Sequence, residues 1–297
     1  MEDDNLFTDT TVIWRYMNLE SFINLISYKT LSFYRYDKLK SLDPYEGANS
    51  KFELEQRDFA EAINDEIAEK SGDSSLKSTQ FSRYSHNKML EIRKKQYFIN
   101  CWHINDCESV AMWDSFTNSK TGIAIKTTVG KLKRTINNRP TNSNYDFKYG
   151  KVNYVELNSY KGDINPLLRK TKYFIHEQEL RVYFKYIKEW VQETNKIIID
   201  ENIVPDTIMN INNPDRINVD VTISELVDEL IISPKSEEWL IDLITKLLED
   251  YHISINPKQS DIRVQNIKIK SGDYSLINKE EEFKFFIENS LFVKSET

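Results

Sequence analysis

Glu177 and Glu179 stand two residues apart at the entry to an alternating run, Leu180-Arg181-Val182-Tyr183-Phe184. Side chains two apart on a strand share a face, so both carboxyl groups can meet at the strand's leading edge. Like charges held close raise the pKa of one of them, which suits acid–base work or stabilisation of an oxocarbenium-like centre. Arg181 falls on the same face and could hold one carboxylate. The plainer reading is a solvated Glu/Arg cluster at a strand end.

Three other constellations could carry chemistry. Asp43-Pro44-Tyr45-Glu46 places two carboxylates in a tight loop, where they could bind a metal or act as a base, or simply make a turn with Asp43 as its former and Glu46 solvated. Cys101 has His103 two residues on, a spacing open to a thiol nucleophile and its base. Cys101 also lies in an apolar run, where a free cysteine is usually a buried packing residue. Trp102 and Trp113 bracket a polar segment and could stack on a planar ligand, or belong to the core.

Composition narrows the choice. The net charge of −7 speaks against a uniformly basic nucleic-acid surface. Seven glycines in 297 residues leave little room for a phosphate-cradling loop, and no HExxH occurs. Two cysteines without a second thiol pair argue against structural zinc, and no metal is expected. An acidic start, no apolar run of membrane length and two cysteines read as a reduced, cytoplasmic chain with no membrane partner. Aromatic residues at 12% can supply a core despite the polar balance.

The elements that must position these residues follow from periodicity. Strands are expected at Val12–Tyr16, Thr30–Tyr34, Tyr97–Trp102, Gly122–Thr127, Val152–Leu157, Leu180–Tyr186, Ile217–Ile223, Glu229–Ser233, Ile253–Ile255 and Ile262–Ile269. Helices are expected after Asn18, over Lys51–Glu69, Arg83–Lys95, Glu108–Phe116, Val129–Ile136, Pro166–Phe174 (with Lys170 and Lys172 exposed), Ser236–Tyr251 and Glu280–Ile287. Phe52, Phe59, Ile63 and Ile67 fall mostly on one face of the second helix. Ser71–Ser82 reads as a linker and Asp200–Arg216, with its two prolines and many Asn, as a loop or insertion. Strands and helices mix without a βαβ rhythm, so the expected class is α+β: one large domain over 1–297, its core at about 12–263, with a C-terminal extension at 264–297 and a mixed, largely antiparallel central sheet flanked by helices.

Several short motifs now fall into an order. Trp14-Arg15-Tyr16, Leu31-Ser32-Phe33, Leu42-Asp43-Pro44-Tyr45-Glu46, Cys101-Trp102-His103, Met112-Trp113-Asp114, Gly122-Ile123-Ala124, Glu177-Gln178-Glu179-Leu180-Arg181 and Ile231-Ile232-Ser233-Pro234 with Trp239 run from about Val12 to Arg263. In that order they resemble the bacterial domain-of-unknown-function family numbered twenty-nine seventy-one. Leu42 stands where that family usually has Asn, and His103 where it has Ser. The layout is in turn similar to that of ADP-ribosyltransferases, with a first-strand Arg or His, a helix opening near Asn-Leu and a late Glu-x-Glu.

The resemblance implies an NAD-consuming enzyme, an ADP-ribosyltransferase or NAD glycohydrolase, of a toxin or anti-phage defence system. NAD would be the substrate. Arg15 would bind the pyrophosphate, Tyr16, Tyr36 or Trp113 would stack on nicotinamide, and Glu179 would stabilise the oxocarbenium-like transition state. Trp102, Glu177 and Arg181 would complete the ligand site, with Asp43 and Glu46 as loop contacts. A protein or nucleic-acid target and a controlling protein partner are open partners. Two alternatives stand beside it: a non-enzymatic sensor that binds a small ligand or a phage protein, and a metal-dependent nuclease using Asp43, Glu46 and the Glu177/Glu179 pair.

Overall fold

The computed structural model describes residues 7–41, 43, 45–73, 88–117, 120–162, 164–199 and 202–263. Leu42, Pro44, most of the expected 71–82 linker, the expected strand beyond Arg263, the C-terminal extension and its helix lie outside the described residues.

The chain opens with β1 (Val12–Met17), α1 (Leu19–Tyr28) and β2 (Thr30–Arg35). Asn18 caps α1 by accepting from the Ser21 amide at 2.9 Å, and Lys29 ends the helix in the left-handed region at φ 53°. Then come α2 (Lys51–Ser71), started by a reciprocal Ser50/Glu53 capping box, α3 (88–94), β3 (Tyr97–Ile104) and α4 (Val110–Phe116). Next are β4 (Ile123–Thr128), α5 (Val129–Asn137), β5 (Lys148–Lys151), β6 (Asn153–Val155) and β7 (Arg169–Thr171). They are followed by β8 (Glu179–Lys185), β9 (Trp190–Ile199), β10 (Asn202–Ile211) and β11 (Arg216–Asp220). The described elements close with α6 (Ile223–Leu226), β12 (Glu229–Ile232), α7 (Trp239–Asp250) and β13 (Pro257–Gln259).

A nine-stranded sheet runs β11-β2-β3-β1-β4-β12-β13, with β8 on β3 and β5 on β8. Its pairs are antiparallel except β12 with β13. The α+β class and the mixed, mostly antiparallel sheet with flanking helices are as the sequence leads one to expect. No helix among the described residues is long and apolar enough to cross a membrane.

One edge of β3 pairs with β8 from Tyr97 to His103. The other edge is shared: Phe98 and Ile99 pair with β2, while His103 and Ile104 pair with β1. Residues 100–102 pair with neither, so β1 and β2 part there and leave a fork in the sheet.

Alternation sorts the two faces. Phe98 and Trp102 on β3, Leu180, Val182 and Phe184 on β8, and Ile13 and Met17 on β1 join the main core under α1, α5 and α7. The opposite face carries Trp14 and Tyr16 against α4, and Ile99 and Tyr183 against Leu167. Cys101, His103, Glu179 and Arg181 have the parity of that second face.

Several expected elements are corrected. Residues 202–211, inside the expected 200–216 loop, are a strand paired with β9 over its whole length. Both strands of that ribbon are edges, the one setting in which Pro205 is tolerated. The segment Pro166–Phe174 is no helix: a short 3-10 turn gives way to β7, which pairs in parallel with β6. Phe59, Ile63 and Ile67, which share a face of α2, are exposed, and Ala68 is the residue that α2 buries. The strand expected at Ile253–Ile255 forms instead at β13, where Leu230–Ile232 offers a free edge.

Candidate functional site

The fork holds a cavity of ≈ 160 Å³ that takes in Arg15 and Tyr16 from β1, Tyr34 from β2, residues 99–103 of β3, Met112 and Phe116 from α4, and Glu46, Lys170, Glu177, Glu179 and Arg181. A second cavity of ≈ 280 Å³ opens toward α1, and Arg15 and Tyr34 line both. Sequence segments more than 160 residues apart (Arg15 to Arg181) thus converge on one place because β3 receives β1, β2 and β8.

Glu177, Glu179 and Arg181 are buried, at 5%, 5% and 1% exposure, which overturns the solvated-cluster reading. Lys170 lies between the two carboxylates, with Nζ 2.5 Å from Glu177 Oε2 and 2.7 Å from Glu179 Oε1. Arg181 donates through Nε to Glu179 Oε2 at 2.7 Å and through Nη1 to Glu46 Oε1 at 2.7 Å and the Leu167 carbonyl at 2.7 Å. The Tyr154 hydroxyl accepts from the Glu179 amide at 2.8 Å.

The two carboxyl groups are driven apart in acidity. Burial, and then the hydrogen bond and charge of Glu179, push Glu177 up to about 8. Burial would also raise Glu179, but Arg181, the bond from Glu177 and Lys170 outweigh it and hold Glu179 well below the usual carboxylate range. Lys170 and Arg181 stay charged for the complementary reason: Glu179 and its neighbours overcome the cost of burial. With Glu177 neutral, Glu46 and Glu179 balance Lys170 and Arg181 charge for charge. A buried cluster is tolerable only when balanced in this way.

Arg15 stands outside that balance. Nη1 donates to Asn100 Oδ1 at 2.8 Å and the Cys101 carbonyl at 3.0 Å, and the guanidinium lies 5.8 Å over the Trp102 ring. Among the described residues no carboxylate forms an ion pair with it. The fork therefore presents a half-buried cation that lines two cavities and, with the parity of Ile13 and Met17, stands on the face of Trp102, an arrangement suited to an anion.

His103 is 3% exposed and also lines the first cavity. Its Nδ1 lies 2.7 Å from the Glu177 carbonyl. A carbonyl only accepts, so Nδ1 carries the hydrogen and Nε2 is left as an acceptor, with no partner among the described residues. Burial lowers the pKa of His103, which keeps the ring neutral.

The remaining sequence candidates divide. Trp102 lines the cavity. Trp113 does not: it lies behind Tyr16, ring centroids 4.9 Å apart, with Nε1 donating to Glu108 Oε2 at 2.9 Å. Tyr36 lies on the far side of Glu46, in a neighbouring cavity, its hydroxyl donating to the Pro166 carbonyl at 2.8 Å. Asp43 is a turn former, accepting from the Tyr45 amide at 2.9 Å. Glu46, expected in solvent on the plainer reading, is 3% exposed and held by Arg181.

Cys101 faces the same cavity, but burial and then Glu179 push its thiol pKa well up, so it is no thiolate nucleophile. Cys107 is exposed, and both cysteines are free.

Lys170 and Tyr34 are two lining residues that were not among the candidates. Lys170 reads as an exposed helical lysine in the sequence, and only the partners supplied by β8 show why it is buried. Tyr34 was accessible to reasoning, since it alternates with the core residue Phe33 and so has to leave the core face.

No protein-family model matches the chain, and neither a curated protein nor a solved structure does.

Proposed function

We propose that the fork cleaves the N-glycosidic bond of an NAD-class dinucleotide, as an NAD glycohydrolase or ADP-ribosyltransferase. The observation that carries this reading is geometric: Glu179, held by Lys170 and Arg181 beside Glu177, lines the same cavity as an Arg15 that has no carboxylate partner among the described residues. Cleavage breaks the bond between the ribose anomeric carbon and the pyridinium nitrogen. The electron pair leaves with the ring, which becomes neutral, and the sugar carbon becomes oxocarbenium-like. Glu179 is fixed by Lys170 and Arg181 with its negative charge available to that centre. Oxygen from water or an acceptor completes the new bond and releases its proton to solvent. Arg15 would take a phosphate, and Tyr34, exposed between the two cavities, offers a stacking face. Depletion of NAD is the role such an enzyme would have as an effector of a toxin or anti-phage system. A protein or nucleic-acid acceptor and a controlling protein partner belong to the transferase form of the same reading.

The test is release of nicotinamide from NAD by the purified protein, with labelling of protein and nucleic acid measured in parallel. Glu179→Gln should abolish turnover while Glu238→Gln, a surface substitution on the approach to α7, leaves it intact. A protein that consumes no NAD, and whose biological effect survives Glu179→Gln, would sink the reading.

A second reading is favoured by one observation: both Glu179 oxygens already hold cations, as in a structural network. On it the fork is a sensor that binds a small anion without chemistry. Ligand binding would then survive Glu179→Gln and be lost in Arg15→Ala. The same contacts weigh against a nuclease, because Lys170 and Arg181 occupy the carboxylate oxygens that a metal would need.

A further inference from the structure

The orphaned acceptor of His103 has no part in the reaction just described. A buried polar atom without a partner is costly, and His103, whose Nε2 is such an atom, is a lining residue of the first cavity, where a ligand could supply the missing group. The hydrogen on Nδ1 is fixed by the Glu177 carbonyl, so what Nε2 lacks is a donor. Beside the charged residues, the cavity offers an aromatic and apolar portion: the Tyr16 ring lies edge to face with the imidazole, centroids 6.1 Å apart, and Met112 and Phe116 from α4 join the lining. At ≈ 160 Å³ it is of the order of a single substituted ring rather than a dinucleotide.

We infer that His103 is the specificity residue of a ring subsite: Nε2 accepts a hydrogen bond from an N–H of the ligand's ring substituent, the carboxamide of nicotinamide being the group that fits. This rests on the NAD-class reading above and adds the feature by which the leaving ring is recognised. The ionisable groups that face the imidazole are Glu177 and His176 from the turn before β8, Glu179 from the paired strand, Lys170 from β7 and Tyr16 from β1. Burial is the leading influence, and His176 adds to it, so the ring stays an acceptor at neutral pH.

The experiment compares NAD with its 3-acetylpyridine analogue, which keeps the ring and the carbonyl but replaces the amide N–H₂ with a methyl group. An acceptor left unpaired in a buried site should lower kcat/KM for the analogue ~10–100-fold. His103→Phe keeps a ring and removes the acceptor, so it should bring the two substrates to within a few-fold of one another. Equal use of both substrates by the unaltered protein, with NAD still consumed, overturns the subsite and leaves the NAD reading standing. Preference retained in His103→Phe overturns it as well. Should the protein not turn over NAD, or His103→Phe not fold, ¹⁵N-histidine spectra of the unaltered protein decide: titration with nicotinamide should shift the His103 Nε2 resonance and 3-acetylpyridine should not. No shift with either probe overturns the subsite.

Discussion

Lys170 Nζ lies 2.7 Å from Glu179 Oε1, both groups at 5% exposure, although nothing near either residue in the chain suggests that they meet. The contact requires a strand at 169–171 near the start of β8, and it gives the buried Glu179 a second cation beside Arg181.

That pair should dominate the stability of the fork. Lys170→Met strands Glu179 with Arg181 alone and should cost ~3–5 kcal/mol in urea unfolding, the range for breaking a buried pair. Glu179→Gln should cost a comparable amount through the reverse imbalance. The double variant, which restores the charge balance, should cost clearly less than the two together. Additive losses would show that the two groups are not coupled in solution.

Much of the fold is legible in the sequence. β4 and β8 read as alternating runs, β1, β2 and β3 as short β-type runs, and Asn18 announces α1, because each obeys local rules of composition, period and capping. The late Glu-x-Glu-Leu-Arg was readable from strand period, whereas Arg15 entered only through the resemblance; both line the cavity at the fork. What was not readable depends on partners far along the chain. Lys170 is buried only because β8 brings it two carboxylates. Trp113 looks like a pocket wall until Tyr16 is seen to stand in front of it. Phe59, Ile63 and Ile67 have helical spacing, which says that they share a face but not that the face is covered.

The acidity of Glu177 sets a pH dependence. Its folded value, about 8, is above its ordinary 4.5, so the folded state holds a proton that the unfolded chain has lost at neutral pH. The stability from this group is complete below about 4.5 and is lost as pH rises toward about 8. Turnover should fall along an alkaline limb as pH rises through about 8, where the folded protein ionises Glu177 and the new negative charge is unbalanced and opposes an anionic substrate. Glu177→Gln should flatten that limb in a plot of log kcat/KM against pH. An unchanged alkaline limb in Glu177→Gln would mean that another group titrates there.

Arg15 should act on binding more than on stability. It has no carboxylate partner among the described residues, so Arg15→Ala leaves no buried charge stranded. The expected result is a rise of ~10-fold or more in Kd for the dinucleotide, as for loss of a charge-assisted contact, with a melting temperature within a few degrees of the parent. Isothermal titration and thermal unfolding check the two halves. Binding unaffected by Arg15→Ala would move the anion site away from the fork.

Tyr34, to which the sequence reading assigns no role, should take the stacking role that the reading assigns to Trp113. Trp113 is buried behind Tyr16 and tied to Glu108, so Trp113→Phe should lower stability while leaving KM within about twofold, as expected of packing without ligand contact. Tyr34 is 42% exposed and lines both cavities, so Tyr34→Ala removes little buried area. It should raise KM by roughly 5–15-fold, the size of a lost aromatic stacking contact, with unfolding nearly unchanged. If Trp113→Phe raised KM as much as Tyr34→Ala does, the ring behind Tyr16 would have to reach the ligand, and the placement of the stacking face at the fork would be wrong.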